Sequence, residues 1–364
     1  MNILCYMNNL YKGGAERVMS VLASGLSQLG HTVTVVTDYC DDADFPLGEA
    51  VHRVVLEGQY VDHEGKGRLR RNLRRILQLR RLCRERETDV VVSFMEDAYS
   101  RALLATRGLD TKCLISIRTD PKELLQSKKR WLQMHLLAPL AEGCVFQTEQ
   151  ARRCLPKRLQ RKSRIIVNPV SERFYETSPG AMQEKRVVAC GRLEQQKRFD
   201  LLMDAFCKVC DDFPEYILEI YGTGWLEEDL QQQIDDLERA DRIRLMGRQE
   251  NIPDAIKAAS LFVLSSDYEG LPNALMEAMA LGLPVVSTDC SGGGARTLIE
   301  NGRDGLIVPC DDADALAAAI RESLSDPAAA KARGDRAKEK AQTFRTAAVA
   351  AQWEAYLKEI VEGK

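Results

Sequence analysis

Two glutamates, Glu269 and Glu277, punctuate the stretch Ser265-Ser266-Asp267-Tyr268-Glu269-Gly270-Leu271-Pro272-Asn273-Ala274-Leu275-Met276-Glu277. The apolar run 261–264 before it reads as a buried strand, and residues 274–281 after it are strong helix formers. Pro272 suits the first turn of that helix, where a missing N–H costs nothing. The segment therefore predicts strand, glycine-containing loop, helix. A helix start offers unpaired N–H groups and a partial positive charge, which suit a phosphate. Backbone N–H groups of Gly270, Leu271, Asn273 and Ala274 are placed to hold phosphate or sugar oxygens. The two carboxylates would repel phosphate, so they are read as acceptors for hydroxyl groups. A ligand with phosphates in its middle and hydroxyl-rich ends, a nucleotide sugar, fits this pattern.

Other residues fit the same chemistry. Arg192 and Lys197 follow a predicted strand, 186–190, in a loop opened by Gly191. Two cations there can neutralise charge that grows on a departing diphosphate, Arg bidentately and Lys as a point charge. The competing reading is a solvated basic loop, since Arg198 is close by. Gly13 and Gly14 open the helix after the first strand, where the backbone can approach an anion closely; a tight structural turn is the alternative. The segment Arg118-Thr119-Asp120-Pro121 follows another strand, with Arg118 a possible contact to a donor or an acceptor phosphate and Asp120 a helix cap. Asp42-Ala43-Asp44 and Asp312-Ala313-Asp314 formally match an Asp-x-Asp metal motif. The first lies in an acidic loop and the second opens a helix, so both read as surface or capping carboxylates. No metal and no cofactor are expected.

The elements that must position these residues alternate regularly. Strands are predicted at 3–7, 33–37, 90–94, 113–117 and 144–147, and again at 186–190, 216–221, 243–246, 261–264, 284–287 and near 305–308. Helical patterns separate them, which predicts doubly wound parallel sheets. The run 168–183, with Pro169, Pro179 and Gly180, lacks periodicity and reads as a connection. The expected division is a first domain at 1–168, a linker at 169–184, a second domain at 185–338 and a last helix at 339–364.

Bulk properties narrow the partners. The chain has 364 residues, 45% of them hydrophobic, enough for two sizeable cores. Residues 1–166 carry 28 Lys/Arg against 19 Asp/Glu, a net of +9, while the remainder carries 23 against 35, a net of −12. That asymmetry points the first half toward an anionic partner, unless it is ordinary charge scatter. Helix 66–86 concentrates ten Lys/Arg beside a stripe of Leu69, Leu73, Ile76, Leu77, Leu79 and Leu82. Arg70, Arg74 and Arg81 on it are candidates for an anionic membrane surface or a lipid diphosphate, against a plain reading as a packed helix with a solvated face. Nucleic acid is disfavoured because few aromatics interleave with the arginines. Eleven cysteines, an odd number, with no leader sequence suggest reduced thiols in the cytoplasm. Cys207-Lys208-Val209-Cys210 lacks a second ligand pair and reads as helix packing. No apolar run reaches the ~20 residues that span a bilayer, so membrane association would be peripheral.

Taken together, the motifs resemble the retaining glycosyltransferases of the GT-B fold, family 4, especially bacterial enzymes that extend lipid-linked oligosaccharides or capsular polysaccharides. The resemblance runs over nearly the whole chain, through Gly13-Gly14-Ala15-Glu16-Arg17, Gly191-Arg192-Leu193 with Gln196-Lys197, Gly222-Thr223-Gly224, Gly247-Arg248, the Glu269 to Glu277 pair, and Asn301-Gly302-Arg303-Asp304-Gly305-Leu306. It implies an α/β protein with two Rossmann-like domains facing a cleft and a C-terminal helix that crosses back to the first. It implies that the first domain binds acceptor and the second nucleotide sugar. By the same resemblance Arg192 and Lys197 hold the diphosphate, Glu277 the ribose, Glu269 the donor sugar, and Gly247 and Arg248 the base. The expected reaction moves a sugar from a nucleotide donor, UDP-N-acetylhexosamine or UDP-hexose ahead of GDP-mannose, to a polyprenyl-diphosphate-linked glycan at the inner face of the cell membrane. Two departures stand out: Arg118 where many relatives have histidine, and Thr297 where relatives often have glutamate. The alternatives are a non-catalytic GT-B protein that binds nucleotide sugars or organises a membrane assembly, and a sugar-nucleotide epimerase.

Overall fold

The computed structural model describes residues 1–11, 13–59, 67–120, 122, 125–177 and 184–363. Lys66, Pro121, Pro179 and Gly180, which figured in the expectations above, lie outside them. The chain divides into two units, Met1–Pro169 with Thr346–Lys364, and Val170–Arg345.

The first unit is built on a seven-stranded sheet in the order β3-β2-β1-β4-β5-β6-β7. The strands are β1 Asn2–Met7, β2 Thr32–Thr37, β3 His52–Val55, β4 Val90–Phe94, β5 Lys112–Ser116, β6 Gly143–Phe146 and β7 Ser163–Ile165, and every pairing is parallel. The central strands β1 and β4 are continuous apolar runs because helices cover both faces of the sheet. Between them the strand order reverses, with Ile3 opposite Val90 and Tyr6 opposite Ser93. Ligands of open α/β sheets bind beyond the carboxyl ends of the strands at such a reversal.

The second unit repeats the plan with six parallel strands in the order β10-β9-β8-β11-β12-β13. They are β8 Glu184–Cys190, β9 Ile217–Tyr221, β10 Ile243–Gly247, β11 Ala259–Leu264, β12 Val285–Thr288 and β13 Leu306–Val308. The reversal falls between β8 and β11. Phe206, Leu218, Ile220, Leu261 and Ile320 form the centre of its core.

Two boundaries differ from expectation. The last helix is not continuous from 339. A helix at Pro327–Ala341 ends in a 3-10 turn, Gln342–Phe344, and Arg345 at φ −55, ψ 144 breaks the path before helix Thr346–Glu362 begins. That last helix belongs to the first unit. Val349, Trp353 and Leu357 join Ile3, Cys5 and Phe94 in one core, and the Tyr356 hydroxyl accepts from the Cys144 amide at 3.1 Å. The stretch expected to be a bare linker is partly folded as well. The Val170 amide bonds to the Phe344 carbonyl at 2.8 Å, and Arg173–Glu176 forms a helical turn with Phe174 buried.

Candidate active site

In the second unit the turns that follow β8, β9 and β10 are laced together by backbone hydrogen bonds. Gly191 N–H donates to Tyr221 O at 2.9 Å, Leu193 N–H to Thr223 O at 3.0 Å, and Gly222 N–H to Gly247 O at 2.9 Å. Gly222 has φ +146, and a Cβ there would lie 1.8 Å from the Gly191 carbonyl oxygen. Only glycine allows this approach. A Cβ at Gly191 would meet the Lys197 side chain at 2.9 Å, so the lysine lies across a bare backbone.

After Gly191 the loop makes a 3-10 turn, Gln195–Lys197, and Arg198 leaves it in a left-handed conformation at φ 48. Three carboxylates hold that strained residue, Asp311 at 3.0 Å and Asp200 and Asp267 at 3.2 Å. More bonds fasten this loop to the one after β11. Ser265 Oγ donates to Lys197 O at 2.7 Å, Gln196 Nε2 to Tyr268 O at 2.6 Å, and Asp267 N–H to Gln196 O at 3.0 Å. The consequence is a contact between two residues 72 positions apart. Lys197 Nζ donates to Glu269 Oε1 at 2.5 Å, and Ser266 Oγ donates to the same oxygen at 3.0 Å. Both partners are largely buried. An ion pair shielded from water holds its orientation better than an exposed one, although desolvation offsets much of its Coulomb energy.

Helix Asn273–Leu281 starts directly behind this pair. Pro272 is its cap residue, at φ −74, ψ 100, rather than a member of the first turn, and it still costs no hydrogen bond. Glu277 is buried on this helix, which rules out a solvent-facing role. The glycine loop after β12 presses on the same place. A Cβ at Gly294 would lie 2.5 Å from Pro272 Cδ and 3.0 Å from Gly270 O. Thr297 Oγ1 donates back to Gly293 O at 2.8 Å, so it closes its own turn rather than standing in for a carboxylate. Gly191, Lys197, Glu269, Gly270 and Leu271 are thus on the loops that follow β8 and β11, Gly222 and Gly247 at the ends of β9 and β10 beside them, and Asn273 and Glu277 on the helix that follows. Arg192 and Arg248 are on the same loops with exposed side chains, and Arg192 pairs with Glu194 at 2.9 Å. Asp312 caps helix Ala313–Ser325 by accepting from Ala315 N–H at 2.8 Å, the capping role expected of it. No group of His, Cys, Asp and Glu suited to a metal occurs among the described residues.

The first unit differs from expectation in several places. Gly13 caps helix Gly14–Gln28 in an ordinary extended conformation. A Cβ on it would collide with Glu16 Oε2 at 1.8 Å, so a carboxylate already occupies the helix start that was expected to suit an anion. Arg118 stacks over the Phe94 ring at 4.0 Å and lies 5.8 Å from the Trp353 ring. One nitrogen bonds Asn168, while its buried Nε and Nη2 have no partner among the described residues. Burial pushes its pKa down to about 9.

Helix Arg68–Glu85 is both packed and exposed. Arg75, Leu79 and Cys83 face inward, while Leu69, Leu73 and Leu77 face outward. Arg70 is exposed; Arg74 pairs with Glu57 at 3.1 Å and Arg81 with Glu85 at 2.6 Å. Sequence reasoning missed the polar network beneath this helix. Asp38, at the end of β2, accepts from the Tyr6 hydroxyl at 2.7 Å, from Arg101 at 2.8 Å and from Arg75 at 3.1 Å. Arg75 also pairs with Glu57 at 2.8 Å. Beside this network is a cavity of about 870 Å³, with Leu69, Leu73 and Leu104 among its apolar walls and Asn8, Arg101 and Gln133 among its polar ones. Its residues come from separate elements, so no short motif announces it.

Two doubly wound units, a cationic loop at the second reversal and a terminal helix returned to the first unit define the GT-B fold of glycosyltransferases. A model of Glycosyltransferase Family 4 matches residues 12–173 and one of Glycosyl transferases group 1 matches residues 184–326. The chain belongs to the family 4 glycosyltransferases. It is 26% identical over its whole length to a Campylobacter jejuni α-1,4-N-acetyl-D-galactosaminyltransferase, of which it spans 99%, and which is named for a diphospho-undecaprenol-linked glycan. It is 30% identical over 78% of its length to an exopolysaccharide phosphotransferase of Streptomyces coelicolor, of which it spans only 30%. The Anabaena HepE structure, in complex with UDP and glucose, matches 98% of this chain and 99% of its own with a TM-score of 0.80 at 20% identity. Among the described residues, no helix is long and apolar enough to cross a membrane.

Proposed function

We propose that this glycosyltransferase moves one sugar from a UDP-sugar, with retention of anomeric configuration, to a hydroxyl of a polyprenyl-diphosphate-linked glycan at the cytoplasmic face of a membrane. The observation that carries the donor half is the Lys197–Glu269 contact beside the start of helix Asn273–Leu281. Lys197, Arg192 and the first N–H groups of that helix stabilise the diphosphate as it leaves. Both hydrogen bonds to Glu269 use Oε1, which keeps Oε2 for a hydroxyl of the donor sugar. Glu277 accepts from the ribose hydroxyls, and Gly247 with Arg248 borders the base. In the transfer, the bond from the anomeric carbon to the phosphate oxygen breaks and the bond to the acceptor oxygen forms on the same face. The acceptor proton passes to the leaving phosphate. Fixed cations supply the charge neutralisation, so the reaction runs without added metal. In the first unit, the helix start at Gly13 and Gly14 can receive an anionic oxygen only when Glu16 turns away, and Arg118 offers Nε and Nη2, unpartnered among the described residues, to substrate oxygens. Arg70, Arg74 and Arg81 draw the chain to an anionic membrane.

The acceptor half draws on the Campylobacter relative's name, and the preference for UDP on the HepE complex. The test is UDP release from a panel of UDP-sugars and GDP-mannose, with and without membrane extract containing lipid-linked glycans, in buffer and in excess chelator. The expected result is acceptor-dependent UDP release from one donor, unaffected by chelation. GDP release would overturn the nucleotide, and loss on chelation would overturn the metal-free mechanism.

A further inference from the structure

Ten large hydrophobic side chains are exposed among the described residues, and seven of them lie on three neighbouring elements of the first unit. Leu69, Leu73 and Leu77 recur every fourth residue along helix Arg68–Glu85, with Leu69 85% exposed. Leu104 is on helix Glu96–Thr106. Trp131, Leu132 and Leu136 are on the segment Lys128–Leu137, with Trp131 48% exposed.

The three elements meet around Asp97. Lys129 Nζ contacts one of its oxygens at 2.8 Å and Arg68 approaches the other at 3.9 Å. Gln133 Nε2 bonds Ser100 Oγ at 3.1 Å, and the Tyr99 hydroxyl reaches Met134 Sδ at 3.7 Å. Trp131 is braced in its exposed position, since its ring stacks on His135 at 4.1 Å and its carbonyl pairs with His135 Nδ1 at 2.8 Å. Cations border the apolar side chains: Arg68, Arg70 and Arg71 on one element, Lys128, Lys129 and Arg130 on the other. Two carboxylates lie between the elements: Glu96, which burial holds above its ordinary pKa, and Asp97, where burial is outweighed by the Lys129 hydrogen bond so that its pKa stays below the ordinary value.

We propose that these leucines and Trp131 form a docking face for an anionic lipid bilayer, and that the Trp131 segment enters the interface together with the outward face of helix Arg68–Glu85. The charge pattern selects the occupant. An interfacial tryptophan and aliphatic side chains bordered by lysine and arginine match an apolar layer beneath anionic headgroups. The arrangement has a consequence for the acceptor. Leu69, Leu73 and Leu104 also line the 870 Å³ cavity, together with Lys129 and Gln133. A docked face would put the apolar side of that cavity at the bilayer, where a lipid-borne substrate can enter without passing through water. The docking deepens the membrane placement proposed above, and this last step rests in addition on the lipid-linked acceptor reading.

Tryptophan emission of the full chain is read on vesicles of phosphatidylcholine with phosphatidylglycerol whose acyl chains carry bromine. Emission of the wild type and of Trp225→Phe is expected to be quenched, and the quenching lost in Trp131→Phe. Trp225 is the exposed tryptophan of the second unit and serves as the control. A Trp131→Ser/Leu132→Ser/Leu136→Ser variant is expected to bind these vesicles about tenfold or more weakly, with transfer to a water-soluble short-chain diphosphate acceptor retained. Vesicle binding with no Trp131 quenching would overturn the proposal in favour of adsorption by the arginines alone. Failure to bind vesicles, with concentration-dependent self-association lost in the triple variant, would overturn it in favour of a second copy. Transfer without quenching defeats the docking face and spares the acceptor reading; quenching without transfer to any diphosphate-linked acceptor does the reverse.

Discussion

The two strand-order reversals of this chain share a topology and are built from different materials. At β8/β11 the site is made of backbone: glycine turns joined by main-chain hydrogen bonds, a helix start, and one buried pair, Lys197–Glu269. At β1/β4 it is made of side chains from distant elements: Tyr6, Asp38 and Arg101 in a shared network, Arg75 from the basic helix, and Arg118 stacked on Phe94 and Trp353. A site of backbone suits a ligand part common to many substrates, such as a diphosphate. A site of side chains can change its ligand without changing its fold.

Substitutions should separate the two sites. The largest effect is expected from Lys197→Ala, which removes the buried cation beside the helix start. It should lower kcat/KM by about 100-fold or more, on the scale of losing one preorganised transition-state contact. Steady-state UDP release checks it. Gly222→Ala comes next, because its Cβ would be driven into the Gly191 carbonyl. It should destabilise the second unit by about 2 kcal/mol or more and weaken UDP binding, seen by denaturant unfolding with and without UDP. Arg101→Ala is the counterpart in the first unit. Leaving Asp38 and the Tyr6 hydroxyl without it should cost about 3 kcal/mol of stability, while UDP affinity stays as in the wild type. Glu277→Ala should weaken UDP about tenfold, in the range of one hydrogen bond to a charged group; an unchanged Kd would remove its ribose assignment.

The smallest expected effect is on pH. His31 contacts Glu354 at 2.9 Å, and burial holds its pKa below the ordinary 6.5. The unfolded chain therefore takes up this proton more readily than the folded one. The resulting stability is present above pH 6.5 and declines as pH falls through and below that value. A His31→Asn variant should show a flatter dependence of Tm on pH over this range.

The same contrast explains what the sequence disclosed. The central strands were legible as apolar runs, and the β8/β11 site as glycines and charges at short spacing. The edge strands β3 and β7 were not, because their residues are largely exposed and carry no apolar run. Lys197 and Glu269 were legible singly, but their contact was not, since it depends on Ser265, Gln196 and the left-handed Arg198 fastening two loops. The six leucine and isoleucine positions of the basic helix read as one stripe. The structure divides them, with Leu79 inward and Leu69, Leu73 and Leu77 outward, because Arg75 turns in to meet Asp38 and Glu57. Glu16 over Gly13 was equally hidden, since no spacing rule tells a first-turn glutamate to fold back.

The most direct measurement is a UDP titration of the wild type, Lys197→Ala and Arg101→Ala under identical conditions. If the nucleotide is held at the β8/β11 reversal, Lys197→Ala should bind at least about tenfold more weakly, as expected for a lost charged hydrogen bond, and Arg101→Ala should match the wild type. Equal affinity in all three, or a loss confined to Arg101→Ala, would contradict the placement of the donor site.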